Sequence, residues 1–316
     1  MDWKRILERK YLKMERLDKV LGKVIIPLVT PFKKDGSVDE QLLGELAYMV
    51  IERGFGDSII VSGTTGEFVS LSMEERKRIF QVVRDAVGKK IPIIAGTGAA
   101  CTQHTIQLTQ EAEKLGYTVA MVVAPYYQKP TQAGIYEHYR RVAASTSLPI
   151  MLYNIPLFTG VNIDASTLKE LVKIPNIRAI KEEAGINPTQ ASEYALVADK
   201  DFVIYCGDDT MVIQVLSQGG KGVVSGGSLV VGNLMKEMIN SYEKGDVSST
   251  QSLQLKLYEF FHSFNQNGRV NPIPLIRTAV SLTWKDVGDP RLPLLPATQE
   301  EKMELSRILK KLNILP

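Results

Sequence analysis

The stretch IRAIKEEA, residues 177–184, is a short apolar run with a lysine near its centre. Ile177, Ala179 and Ile180 give it the composition of a buried β-strand. Seven other apolar runs occur along the chain, and none is polar at every second position, which is typical of parallel strands covered on both faces. In chain order the eight runs are 24–32, 58–63, 91–98, 118–125, 149–156, 177–184, 202–209 and 222–227.

Helical patterns separate the eight runs, some with recognisable start signals such as Ser72 followed by Glu75 and the segment that opens at Asp164. Eight strand–helix units predict an α/β fold of the (β/α)8 TIM-barrel type, followed by a C-terminal helical appendage. A doubly wound sheet ranks second, because it rarely needs eight such units. The predicted organisation is an N-terminal helical extension at 1–21, a barrel that carries the active site at 22–246, and a helical region at 247–316.

The bulk composition predicts a soluble globular protein. The 316 residues are 44% apolar and 23% charged, with a net charge of +3. So small an excess gives no reason to expect nucleic acid or a membrane surface as a partner. Two cysteines form no disulfide framework, and the N-terminus lacks the apolar region of a secretory signal. We therefore expect a cytoplasmic protein.

Reactive side chains and glycines lie in or at the carboxyl ends of several of the predicted strands. They are GTTGE at 63–67, PYYQKP at 125–130, Tyr153, Lys181, GDD at 207–209 and SGG at 225–227. The carboxyl ends of barrel strands meet at one rim, where such enzymes carry their chemistry. All three histidines fall on predicted helices without ligand spacing, so we expect no metal.

Lys181 carries the functional prediction. Burial disfavours an ammonium group and lowers its pKa, and a neutral amine can form a Schiff base with a carbonyl carbon. The hydroxyl of Tyr153 can shuttle the protons of that reaction, and backbone N–H groups at Thr64 and Thr65 can bind a substrate carboxylate. The alternative is a structural lysine paired with Glu182 or Glu183.

Five motifs together resemble the dihydrodipicolinate synthase / N-acetylneuraminate lyase family. They are GTTGE at 63–67, APYYQKP at 124–130, LYNIP at 152–156, AIKEEAG at 179–185 and CGDD at 206–209. The resemblance covers roughly residues 22–315. It implies a class I aldolase that acts on pyruvate, or on 2-oxo acids that release pyruvate, through a lysine Schiff base, with no metal or other cofactor. It also implies a homotetramer, with a dimer as the alternative.

Site residues follow from the resemblance position by position. Lys181 matches the Schiff-base lysine and Tyr153 the proton-shuttling tyrosine, while Thr64 and Thr65 match the pair that binds the pyruvyl carboxylate and completes the relay. Tyr127 matches a tyrosine that reaches into the site of a neighbouring subunit. Gly207 and Val224 match positions whose backbones line the lysine pocket. Glu67 matches a residue that helps to hold the loop.

Phe158 decides the predicted substrate. The synthases of the family have an arginine there, which grips the carboxylate of aspartate semialdehyde, and Phe158 cannot make that bidentate contact. We therefore predict an aldolase or lyase that forms or cleaves a 2-keto-3-deoxy sugar acid from pyruvate and an aldehyde. The alternatives are 4-hydroxy-tetrahydrodipicolinate (dihydrodipicolinate) synthase, a dehydratase that uses the same Schiff base, and a non-catalytic sensor of 2-oxo acids.

Overall fold

Eight parallel strands close into a barrel in the computed structural model, which describes residues 15–183 and 185–316. The strands pair in chain order, and β8 closes the sheet by pairing with β1. They are β1 (Val24–Pro27), β2 (Ser58–Val61), β3 (Ile93–Gly96), β4 (Val119–Val123), β5 (Ile150–Asn154), β6 (Ile177–Glu182), β7 (Val203–Cys206) and β8 (Gly222–Val224). The predicted (β/α)8 barrel is confirmed.

Every predicted strand extends beyond the observed one at its carboxyl end. The run 24–32 contains β1 over only Val24–Pro27, although Leu28 and Val29 beyond it are fully buried. Burial continues there because the loops of the rim are themselves covered. The apolar pattern therefore records burial, whereas the strand ends where the ladder of hydrogen bonds stops.

Helices surround the barrel and continue after it. They are α1 (Leu17–Leu21), α2 (Glu40–Glu52), α3 (Met73–Val87), α4 (Thr102–Lys114), α5 (Gln132–Ala144), α6 (Pro156–Thr159), α7 (Ala165–Leu171), α8 (Gln190–Val197), α9 (Val212–Ser217), α10 (Ser228–Glu243), α11 (Val247–His262), α12 (Ile273–Thr283) and α13 (Gln299–Lys311). Ser72 begins α3 with a full capping box, in which its hydroxyl accepts from the Glu75 N–H while the Glu75 carboxylate accepts from the Ser72 N–H.

Two apolar clusters form the core. The larger lies between the strands and the surrounding helices, and the smaller fills the barrel interior. Leu17 and Leu21 of α1 belong to the interior cluster, so this short helix covers the barrel at the amino ends of the strands. Of the predicted extension over 1–21, residues 1–14 lie outside the described residues.

The C-terminal helices pack back onto the barrel. Helix α12 is buried along most of its length, and its Arg277 donates to the backbone carbonyl of Thr30 just beyond β1, at 2.7 Å. The division at residue 246/247 stays a prediction. Within the described ranges, no helix combines the length and apolar character that crossing a membrane requires.

Candidate active site

Lys181 and Tyr153 lie side by side in the barrel interior. Strands β5 and β6 pair with these two residues in register, so their side chains leave the sheet on the same face. Lys181 is 6% exposed and Tyr153 2% exposed. The Lys181 Nζ lies 4.1 Å from the centre of the Tyr153 ring. The sheet register therefore brings together the two residues on which the sequence-based prediction depended.

The net pKa shift of Lys181 is opposite to the sequence-based expectation. Burial lowers the pKa of its ammonium group, but attraction to the negative forms of Tyr153 and Glu183 outweighs burial and raises the pKa. Lys181 makes no ion pair with either Glu182 or Glu183: the Glu182 carboxylate accepts instead from Asn154 Nδ2, at 2.9 Å. The resting group is therefore an ammonium that must pass a proton to a neighbour before it can attack a carbonyl.

Tyr153 is a neutral phenol in the resting site. Burial raises the pKa of Tyr153, while Lys181 and the side chain of Thr64 favour its ionised form. A phenol that is buried against an ammonium and close to a hydroxyl group has both a proton acceptor and a proton donor within reach. This arrangement is suited to moving protons on and off a reacting amine.

Thr64 and Thr65 begin a single 3-10 turn, Thr64–Gly66, directly after β2. The first N–H groups of such a turn have no acceptor within it, which leaves them available to an anion. Both residues line the cavity that contains Lys181, and the Thr65 hydroxyl lies 3.5 Å from where a Cβ on Gly226 would stand. The turn therefore offers donors at the edge of the lysine pocket.

Gly207 and Val224 close the pocket around Lys181, and both line the same cavity of about 200 Å³. A Cβ on Gly207 would stand 2.8 Å from the Lys181 Cε and 3.1 Å from the Glu182 carbonyl oxygen. The Gly207 N–H donates to that carbonyl at 2.7 Å, which holds the backbone against β6. Only a glycine leaves room there for the lysine side chain.

Acidic side chains that the functional prediction did not use form one wall of the cavity. They are Glu183, Asp208 and Asp209, and among the described lining residues Lys181 is the only cationic one. Burial raises the pKa of Glu183 to about 8 and that of Asp209 to about 6. Glu183 could have been found from sequence, because it lies two residues beyond Lys181 and so falls on the same side of an extended chain.

A further part of the cavity lining comes from the C-terminal region. The residues are Phe261, Phe264, Asn265, Val270, Pro272, Ile273 and Ile276. Sequence reasoning missed them, because periodicity shows that a helix has an apolar face but not which cavity that face covers. The candidate site therefore combines the barrel rim with α11, α12 and the segment between these two helices.

Glu67 and Arg277 form a buried ion pair behind the threonine turn. Arg277 Nη1 lies 3.0 Å from Glu67 Oε1, and the two side chains are 2% and 1% exposed. Glu67 also accepts from the Arg291 N–H at 3.0 Å and has a left-handed backbone, with φ of 55°. The contacts of Glu67 thus fix the end of the turn, as the sequence-based prediction of a helper requires, and they link it to α12.

Phe158 and Tyr127 occupy different positions from the other predicted residues. Phe158 is 37% exposed and lines the cavity from α6. Tyr127 is 89% exposed, has φ of 70°, and does not line the cavity of its own chain. A large aromatic side chain held outward by a left-handed backbone fits a role outside its own barrel, and that role stays a prediction.

The described residues contain no group of three or more His, Cys, Asp or Glu side chains that could hold a metal ion. The three histidines lie in α4, α5 and α11, so all three predicted helical placements are confirmed. Asp208 and Asp209 of the GDD motif are bonded within the protein: the Asp208 carboxylate accepts from Thr210, and Asp209 accepts from the Gly227 N–H at 2.9 Å.

Comparisons with known proteins identify the family of the chain. Residues 20–312 match the model of the dihydrodipicolinate synthetase family. The chain is 41% identical over 294 residues to a 4-hydroxy-tetrahydrodipicolinate synthase from Desulforudis audaxviator, covering 93% of this chain and 98% of that one.

Two solved structures are similar over nearly their whole length. Dihydrodipicolinate synthase from Cyanidioschyzon merolae, solved with lysine bound, has a TM-score of 0.89 at 38% identity, with 94% of this chain and 99% of that chain covered. The chloride-inhibited enzyme from Acinetobacter baumannii, solved with pyruvate, has a TM-score of 0.86 at 33% identity, with 94% and 100% covered. The names of these relatives favour the synthase alternative over the sugar-acid prediction.

Proposed function

The chain belongs to the dihydrodipicolinate synthetase family, and from that premise we propose that Lys181 is the residue that binds pyruvate covalently. The family consists of lyase-type enzymes that use pyruvate through a lysine Schiff base, so the chain is an enzyme of that class rather than a sensor. One observation carries the assignment to Lys181: its Nζ is buried in the cavity, 4.1 Å from the Tyr153 ring centre.

The chemistry needs an amine that can lose and regain protons. Lys181 transfers a proton and attacks the carbonyl carbon of pyruvate, and loss of water from the adduct gives the imine. Tyr153 moves the protons of both steps, helped by the hydroxyl of Thr64 or Thr65. The N–H groups of Thr64 and Thr65 hold the pyruvyl carboxylate. Loss of a methyl proton then gives an enamine, which attacks the aldehyde.

Aspartate semialdehyde is the first candidate for the aldehyde, which makes the enzyme a 4-hydroxy-tetrahydrodipicolinate synthase. The support is the 41% identity to a protein of that name over 98% of its length. The acids Asp208 and Asp209 at the cavity wall can receive the ammonium group of this aldehyde. Its carboxylate has no arginine at position 158 and must be held by backbone N–H groups or by a second subunit.

A 2-keto-3-deoxy sugar acid is the second candidate, and one specific observation favours it. Phe158 stands at the arginine position, and the described lining residues hold no cation besides Lys181. The carboxylates of Asp208 and Asp209 in this wall accept hydrogen bonds from the hydroxyl groups of an aldehyde such as glyceraldehyde and repel an aldehyde that carries a carboxylate. A dehydratase that acts on the same enamine would use the same wall.

The active enzyme is proposed to be a homotetramer or a dimer. Tyr127 supports this, because its side chain is 89% exposed and outside its own cavity, where a neighbouring copy could receive it. Size-exclusion chromatography with light scattering gives the mass. A monomer with full activity that Tyr127→Phe leaves unchanged would contradict the proposal.

Borohydride trapping with pyruvate is the experiment that tests the Schiff base. We expect the intact mass to rise by one reduced pyruvyl group and the modified peptide to contain Lys181. The adduct should be lost in Lys181→Met and kept in Lys169→Met, a control at an exposed position of α7. A folded wild-type protein that gives no adduct would overturn the assignment.

A competition between aldehydes identifies the second substrate. Pyruvate consumption is measured with aspartate semialdehyde and with glyceraldehyde under the same conditions. A larger kcat/KM for aspartate semialdehyde supports the synthase, and a larger value for glyceraldehyde supports the sugar-acid aldolase. The borohydride result does not depend on which aldehyde reacts, so the two questions are answered separately.

A further inference from the structure

The carboxyl group of Glu183 lines the cavity that contains Lys181, and no described residue bonds to it. The Glu183 N–H donates to the Asn154 carbonyl at 3.1 Å, which fixes the backbone just beyond β6. The side chain makes no hydrogen bond or ion pair with another residue in the described part of the chain, and it lines the pocket beside Lys181. A carboxyl group that is placed in a cavity and unused by the fold is available to a ligand.

Glu183 and Tyr153 lie on different sides of Lys181. Strand β6, which carries Lys181, stands between β5 and β7. Tyr153 comes from β5, whereas Glu183 Oε2 lies toward Gly207, directly after β7. A Cβ built on Gly207 would stand 3.0 Å from Glu183 Oε2 and 2.8 Å from Lys181 Cε. These two atoms are therefore within about 6 Å of each other. An adduct on Lys181 would therefore have Tyr153 on one side and Glu183 on the other.

Burial, together with nearby acidic groups, favours the protonated form of Glu183 near neutral pH. Burial raises its pKa to about 8, Lys181 opposes this shift, and Asp208, Asp209 and Glu182 add to it. The phenol of Tyr153, from β5, also faces this group. Glu183 is thus mostly an uncharged acid at pH 7, able to donate a hydrogen bond or a proton and unable to repel an anionic aldehyde.

We propose that Glu183 is a catalytic acid and base for the second substrate, giving its proton to the aldehyde oxygen when the new carbon–carbon bond forms. The role rests on the proposed function and applies to either aldehyde. The enamine carbon attacks the aldehyde carbon, the π electrons of the C=O bond move to its oxygen, and that oxygen takes the Glu183 proton. In cleavage the Glu183 carboxylate removes the hydroxyl proton and the carbon–carbon bond breaks.

This division of labour separates the two halves of the reaction. Tyr153 serves the formation of the imine with pyruvate, whereas Glu183 acts only after the aldehyde has entered. At pH 7 Glu183 is mostly uncharged and adds little negative charge beside Lys181, so Glu183→Gln should leave the pyruvate half-reaction intact and slow the aldehyde half-reaction. A merely structural glutamate would affect both halves or neither.

The test uses Glu183→Gln in the full chain, with Glu237→Gln as a control at an exposed position of α10. Borohydride trapping and the exchange of pyruvate methyl protons in D2O, followed by NMR, measure the first half. At pH 7, where Glu183 is mostly uncharged, both rates should stay within about twofold of wild type. The kcat with aldehyde should fall by about 100-fold, which is the low end of a general acid's contribution. Glu183→Asp should recover part of it.

The pH profile gives a second readout. In the condensation direction the acid form of Glu183 is needed, so kcat for the wild type should be level below about pH 8 and fall above it. Glu183→Gln should lose that fall. An equal loss of trapping and turnover in Glu183→Gln would overturn the proposal, because Glu183 would then serve as the base that takes the proton of Lys181. Unchanged turnover would also overturn it. Failure of the wild type to trap pyruvate would instead overturn the proposed function, and this role with it.

Discussion

Replacing Arg277 with methionine should strongly destabilise the protein, because Arg277 is the centre of a buried polar network. Its guanidinium group donates to Glu67 at 3.0 Å, to the Thr30 carbonyl at 2.7 Å and to the Val287 carbonyl at 2.5 Å. Methionine fills a similar volume and removes all of these donors. Glu67, 1% exposed, then loses its cationic partner.

The expected cost is about 4 kcal/mol at pH 8. Removing one partner of a buried ion pair costs about 3–5 kcal/mol, and the buried Thr30 carbonyl, which loses its donor, adds about 1–3 kcal/mol. The Val287 carbonyl adds little, because it still accepts from the Phe32 N–H at 3.1 Å. Relaxation and the protonation of Glu67 limit the total, because burial already raises the pKa of that carboxyl group and Arg277 is the main opposing influence. We therefore place the estimate toward the lower end of the summed range.

The pH dependence has a defined sign. Without Arg277 the folded-state pKa of Glu67 rises further above its unfolded value, and an acid with a raised folded pKa destabilises the fold as pH rises above the unfolded value. The loss in the free energy of unfolding should therefore be larger at pH 8 than at pH 5. The double variant Arg277→Met/Glu67→Gln should be about 1–2 kcal/mol more stable than Arg277→Met at pH 8, since the glutamine that replaces Glu67 carries no charge into the buried site.

Urea unfolding followed by circular dichroism, at one fixed protein concentration, gives these differences. The control is Arg307→Met in the exposed pair with Glu259, which should cost less than about 1 kcal/mol. A loss below about 1 kcal/mol for Arg277→Met at both pH values would refute the reasoning. So would a double variant no more stable at pH 8 than the single one.

Three further substitutions probe the site itself. Gly207→Ala should abolish pyruvate trapping, because the alanine Cβ would stand 2.8 Å from the Lys181 Cε. Circular dichroism checks the fold, and normal trapping in a folded variant would show that the Lys181 side chain can move to make room. Tyr153→Phe should slow imine formation by about 100-fold, measured as the rate of trapping, because the shuttling hydroxyl is lost; an unchanged rate would assign proton transfer elsewhere. Phe158→Arg should lower KM for aspartate semialdehyde by about tenfold. This is near the low end of what a charge-assisted hydrogen bond contributes, because the position is 37% exposed. The same variant should leave KM for glyceraldehyde unchanged, and an equal effect on both aldehydes would mean that the new side chain does not recognise a carboxylate.

The fold and the centre of the site were accessible from sequence because both depend on strand geometry. Eight apolar runs determine a barrel, and Tyr153 and Lys181 come together because each falls near the carboxyl end of a neighbouring strand. The pKa of Lys181 was not accessible, since it depends on how close Tyr153 and Glu183 lie and not on burial alone.

The cavity wall from α11 and α12 was not accessible either. An apolar face on a helix predicts burial, but the partner surface is chosen by tertiary packing. Ile273 and Ile276 could equally have packed against another helix, and only the structure shows that they cover the lysine pocket. Buried polar contacts such as Arg277 with Glu67, which are 210 residues apart, carry no local sequence signal.

The shared wall also bears on how the enzyme becomes competent during its synthesis. All eight strands and Lys181 precede the segment that carries Phe261, Ile273 and Arg277, so they are synthesised before it. A nascent chain halted before that segment would hold Lys181 in an open groove, with Glu67 still lacking its arginine. The cavity lining is therefore incomplete until the last quarter of the chain has been made, and we expect a separately supplied peptide that spans this quarter to complement a truncated barrel.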